Sequence, residues 1–118
     1  MAFNFTNFTP HDVTVVGENG FTIKASGETI RLGVDTTTPD GLPDWVKVRK
    51  IDCKIEVHDD HTVIGGVRIP DGADIIVSAQ VASFLATKGD LPFNIFTVGD
   101  TIKDSNGAII GTKFLVLN

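Results

Sequence analysis

Apolar residues along the chain recur mostly at every second position and in short bursts, a pattern of half-buried strands rather than helices. Phe3, Phe5 and Phe8 open as a short strand that breaks at Thr9-Pro10-His11, where proline has no backbone donor and holds Thr9 extended. Asp12 to Val16 reads as the next strand. Gly17-Glu18-Asn19-Gly20 reads as a hairpin turn, and Phe21 to Lys24 returns. After a turn at Ala25-Ser26-Gly27-Glu28, Thr29 to Val34 carries Ile30 and Leu32 on one face. Residues 35–44 hold two prolines and no periodicity, and are expected to form a loop. Trp45 to Val57 alternates but changes phase: Val46 and Val48 share one parity, Ile51, Cys53, Ile55 and Val57 the other. A bulge near Arg49-Lys50 would restore a common face. His58-Asp59-Asp60-His61 turns the chain into Thr62-Val63-Ile64, and Gly65-Gly66 predicts a bulge or close backbone approach. Val67 to Ile69 ends at the turn Pro70-Asp71-Gly72. Ala73 to Val77 is β-branched and apolar, a buried strand.

One segment breaks the period of two. From Ser78 to Lys88, Val81 and Leu85 lie four apart, as do Ala82 and Ala86. Ser78 suits the N-cap and Gly89 the C-terminal end. Beyond it, Asp90 to Val98 contains Pro92 and reads as irregular or as an edge strand. Thr101 to Ile110 forms a hairpin about Asp104-Ser105-Asn106-Gly107, and Phe114 to Leu117 a terminal strand.

Composition supports this reading. Val, Ile and Thr are 38 of the 118 residues, against three Glu, six Leu and one Gln. The expected fold is mainly β (α+β): a small mixed or antiparallel sheet or barrel of at least seven strands, with one short helix near residues 78–88. Residues 1–118 are read as a single domain. Its mass of 12.6 kDa is enough to bury a core without staples.

Charge narrows the partners. A formal net charge of −5 lacks the basic footprint of a nucleic-acid binder, so no nucleic-acid polymer is expected. No apolar run is long enough to span a membrane as a helix, and the start has no basic region followed by a long apolar segment. No membrane partner and no signal peptide are therefore expected. The lone Cys53 makes no internal disulfide, which fits a cytosolic setting. Apolar segments at both ends leave candidate edge strands, and a homo-oligomer is expected.

Few residues stand in a pattern that carries chemistry. His58, Asp59, Asp60 and His61 are ligand types, but their spacing matches no established metal motif and Asp-rich turns arise for backbone reasons. No metal and no cofactor are expected. Cys53 lies in phase with Ile51 and Ile55 and reads as a buried structural thiol. Nucleophile-elbow and phosphate-loop motifs do not occur. His11 is held beside Pro10 at a strand start, where a titratable side chain is preorganised. Ser78 opens the helix, whose first amides form an anion-binding end. With Asn7 and Thr9, these two residues are the candidate ligand-binding set.

The segment Asn7-Phe8-Thr9-Pro10-His11 resembles the opening Asn-Leu-Thr-Pro-His of a group of small phage and prophage proteins. The similarity extends through Ile69-Pro70, Ile75-Ile76-Val77-Ser78 with Val81-Ala82, and Asp104-x-x-Gly107-x-Ile109-Ile110-Gly111. It departs at Phe8, at an arginine that the group carries after the helix, and at a proline before Gly99. The resemblance implies a phage origin and the host cytoplasm as the place of action. It also raises the expectation of a small-molecule-binding protein that sequesters an anionic, nucleotide-like signal of host immunity. The alternatives are a small enzyme using His11 as base on a phosphate- or carboxylate-bearing substrate, and a virion or assembly accessory.

Overall fold

The computed structural model describes residues 4–17 and 20–118. The expected Asn19-Gly20 turn and the role of Phe3 fall partly or wholly outside these. The described chain is mainly β, with thirteen short strands, one helix and no closed barrel. The strands assemble into four small sheets.

The first sheet has the order β1-β9-β10-β13. Strands β1 (Phe5–Asn7), β9 (Asp74–Ile76) and β10 (Asn94–Val98) run parallel, and β13 (Leu115–Leu117) is antiparallel to β10. Asn7, Ile76 and Phe96 occupy one row across the parallel strands. The helix α1 (Ala79–Ala86) crosses from β9 to β10, as adjacent parallel strands require. Strand β10 is thus interior rather than an edge. Pro92 lies before its first residue, so it costs no ladder bond.

The second sheet has the order β11-β12-β2-β3, from β2 (Val13–Val15), β3 (Phe21–Ile23), β11 (Thr101–Lys103) and β12 (Ile109–Thr112). The expected C-terminal hairpin is present. Asp104 Oδ1 accepts from the amides of Asn106 and Ala108 at its turn. Strand β12 meets β2 in parallel, Thr112 facing Val15. A Cβ added at Gly111 would lie 2.6 Å from Val16 Cγ2 and 2.8 Å from the Thr14 carbonyl oxygen, so this junction requires a glycine.

The third sheet is a hairpin of β4 (Gly33–Thr37) and β5 (Val48–Asp52); the fourth is a meander of β6 (Ile55–Val57), β7 (His61–Ile64) and β8 (Val67–Pro70). Here the structure corrects several expectations. The strand expected at Thr29 to Val34 starts only at Gly33, although Ile30 and Leu32 do turn inward. The loop expected from residue 35 therefore begins after Thr37. The strand expected from Trp45 to Val57 is two strands in two sheets. Its change of phase is resolved by a break at Cys53-Lys54, not by a bulge at Arg49-Lys50. Gly65-Gly66 is the β7–β8 hairpin turn itself, with φ of 55° and 84°, the primed-turn geometry that matches strand twist.

One core joins the first sheet, the helix and the meander. Phe8, Ile30, Ile64, Val67, Ile69, Ile75, Val77, Val81, Ala82, Leu85 and Phe93 form a single buried cluster. It holds the helix and the meander against one face of the parallel sheet. Cys53 packs at the margin of this cluster, half-buried rather than buried, and desolvation pushes its thiol pKa up. The fully buried Thr62 Oγ1 has no hydrogen-bond partner. Thr62→Val keeps the shape and removes an unsatisfied hydroxyl. It is expected to raise stability by about 1 kcal/mol, read as a higher urea midpoint with unchanged slope; a lower midpoint contradicts it.

Candidate functional site

The parallel strands end on a common edge, and the register places the candidate residues there. Two positions beyond the row of Asn7, Ile76 and Phe96 come Thr9, Ser78 and Val98, and all three border one cleft of about 500 Å³. The carboxyl ends of parallel strands are where open α/β sheets commonly bind ligands. His11 and Asp12 border the same cleft, and Val13, Ile109 and Ile110 contribute apolar wall. Asp12 Oδ1 accepts from the Ala25 amide at 2.8 Å.

Asn7 does not line it. Only 1% exposed, it spends all four hydrogen-bonding capacities inside the protein. Its Nδ2 donates to the carbonyls of His11 (2.8 Å) and Ile23 (3.2 Å). Its Oδ1 accepts from the Thr9 amide (2.9 Å) and lies 2.6 Å from Thr9 Oγ1. Asn7 thus ties the Thr9-Pro10-His11 corner to strand β3, and the structure gives it an organising place beneath the site.

Thr9 and Ser78 stand on a divide. They also border a second cleft of about 580 Å³ on the other side of the corner. This cleft receives Arg31, Thr29 and Gln80 and is walled by Phe8, Leu32, Val34 and Ile51. Among the described residues it contains no acid, and Arg31 is its single cation. The α1 N-terminus opens beside it. Ser78 has extended backbone (φ −67°, ψ 160°) and its Oγ accepts from the Val81 amide at 3.3 Å. By helix geometry the amides of Ala79 and Gln80 have no acceptor within the helix. Arg31 and the helix-start residues Ser78 and Gln80 therefore line one cavity, while Ala79 lines the first.

The sequence reading missed Arg31, Thr29 and Gln80. Arg31 sits between Ile30 and Leu32, and its outward parity was the one available signal. Of the four residues it named, the structure brings Thr9, His11 and Ser78 to the first cleft, and Thr9 and Ser78 to the second.

The His58–His61 turn forms a separate surface cluster. The two imidazoles stack with centroids 4.6 Å apart. His61 Nδ1 lies 2.6 Å from Asp60 Oδ1, and this hydrogen bond holds the Asp60 carboxyl below its usual range. A hydrogen bond from Lys54 does the same to Glu56. Among the described residues no group of three or more His, Cys, Asp or Glu is placed to hold a metal ion. Among them, too, no helix is long and apolar enough to cross a membrane.

Comparison with protein-family models, with curated proteins and with solved structures returns no match for this chain.

Proposed function

We propose that this protein binds a small anionic molecule in the second cleft. The observation that carries the reading is the meeting of Arg31 and the α1 N-terminus in a cavity with no acid among its described lining residues. In that arrangement the anionic group lies between Arg31 and the amide of Gln80, with Thr9 and Thr29 as further donors. Phe8, Leu32, Val34 and Ile51 offer an apolar wall suited to a flat organic body such as a nucleobase. Cavities of this kind need only a few placed polar groups for orientation. The likeness to phage and prophage proteins supports a setting in the host cytoplasm, where the ligand is a nucleotide-like signal and the role is sequestration.

Native mass spectrometry of protein purified from cells is expected to show a co-purifying small anion. Titration calorimetry then uses inorganic phosphate and adenosine monophosphate as probes. Arg31→Ala removes a charge-assisted hydrogen bond, and affinity should fall by about 1.5–3 kcal/mol, one to two decades. Ser78→Ala should weaken binding less and cost about 1 kcal/mol of stability through the lost cap. If His11→Ala weakens binding and Arg31→Ala does not, the ligand occupies the first cleft. No bound anion and no heat with either probe would remove the reading.

A further inference from the structure

The hairpin of β4 and β5 is built as an arm with nothing to lie on. Its strands bond only to each other, and every residue of both is exposed. A lone two-stranded hairpin is marginal in water. This one also presents Val34, Val48 and Ile51 to solvent, and its connecting loop exposes Leu42 and Trp45, the tryptophan at 83%. Exposed tryptophans of this kind are the usual anchors of protein interfaces.

The dimensions of the whole chain point the same way. The Cα radius of gyration is 17.0 Å, with extents of 58 × 45 × 23 Å, against about 13.5 Å for a compact domain of this length. The accessible surface is 8004 Å², against about 6,200 Å² for a folded monomer of this mass. The excess, on the order of 1,800 Å², falls within what one protomer of a permanent homo-oligomer buries.

Charge selects the occupant. From Gly33 to Asp52 the arm carries Asp35, Asp40, Asp44 and Asp52 together with Lys47, Arg49 and Lys50. Strand β4 presents an acid at Asp35 and β5 presents bases at Arg49 and Lys50, with Asp35 opposite Lys50 in the register. Among the described residues no ion pair forms within the arm. A surface that offers both signs, with Asp35 on β4 and Arg49, Lys50 and Asp52 on β5, is complementary to a rotated copy of itself. The rest of the chain is net acidic and would repel a strongly acidic partner.

We infer that the β4–β5 arm is a clasp that holds a second copy of this chain, with Trp45 and Val48 in the contact. Neither residue lines either cleft, so self-association and ligand binding are tested separately. Sedimentation velocity of the full chain from 5 to 200 µM is expected to give a multiple of 12.6 kDa. The double variant Trp45→Ala, Val48→Asp should sediment as a 12.6 kDa monomer with an unchanged circular dichroism spectrum. A wild-type protein that stays monomeric throughout, which would assign the arm to a different partner, overturns the proposal. So does a double variant that keeps the wild-type mass. Should the double variant lose its fold, hydrogen exchange on the unmodified protein decides. Amides of Gly33–Thr37 and Val48–Asp52 must exchange more slowly as concentration rises, and rates independent of concentration overturn the proposal.

Discussion

Asn7→Ala will lower the unfolding free energy by about 3 kcal/mol, the largest loss expected from any polar substitution in this chain. The substitution leaves the Thr9 amide and the Ile23 carbonyl without their Asn7 partner, while the His11 carbonyl keeps Thr9 Oγ1 as a donor at 2.9 Å. Each buried group left unpaired costs roughly 1–3 kcal/mol, and part of this cost is relieved because the corner at His11 reaches solvent. At about 4 °C per kcal/mol for a domain of this size, the melting temperature should fall by about 12 °C. Asn7→Asp is the informative companion. It keeps both acceptor contacts but sets a buried carboxylate oxygen against the carbonyls of His11 and Ile23, so near pH 7 it should be at least as destabilising as alanine. An alanine variant within about 0.5 kcal/mol of the wild type would mean that the corner does not depend on this side chain.

Leu85→Ala should cost about 3 kcal/mol, and its effect will not stay in the core. Leu85 is completely buried in the cluster that holds α1 on the parallel sheet. Eight residues are too few to be helical alone in water, so the helix persists only through that packing. Loosening it frays the first turn, where Ser78 and the amides of Ala79 and Gln80 face the clefts. Leu85→Ala should therefore weaken anion binding even though it lies a full helix length from the ligand. Urea unfolding gives the stability term and calorimetry the binding term. A destabilised variant that binds as well as the wild type would show that the helix N-terminus contributes nothing to affinity.

What could be read from the sequence was what local chemistry decides. Ser78 capped the helix as its spacing predicted, and the β-branched run before it became a strand with Ile75 and Ile76 fully buried. The hairpin about Asp104 to Gly107 followed from its turn residues. Non-local facts were out of reach. Strand β10 looked like an edge because Pro92 lay near it, while its central position depends on β9 and β13, far away in the chain. The arm defeated the pattern for another reason. Val34 pairs with Ile51 on one face and Val48 lies on the other, apolar residues that read as strand burial, yet within a single chain neither face is buried. Arg31 was overlooked because a charge between two inward residues reads as a solvated position. That Thr9, His11 and Ser78 share a cleft rests on the β1–β9 pairing, which no local signal announces, and Asn7 belongs to the same corner as its support rather than its lining.

The order of the strands also dictates an order of events during synthesis. Phe5 pairs with Asp74, and Val15 with Thr112, so β1 leaves the ribosome long before β9 exists, and β2, which can pair at once with β3, long before β12. The meander from Ile55 to Pro70 pairs only within itself and can form as soon as it emerges. The opening segment must wait, with Phe5 and Phe8 uncovered, until the strands from Asp74 to Val98 have been made. Contacts so distant in sequence form slowly, and a nascent chain in this state is exposed to association with other chains. Early truncation will therefore not yield a shorter folded protein. It will yield a folded meander carrying two unpaired ends.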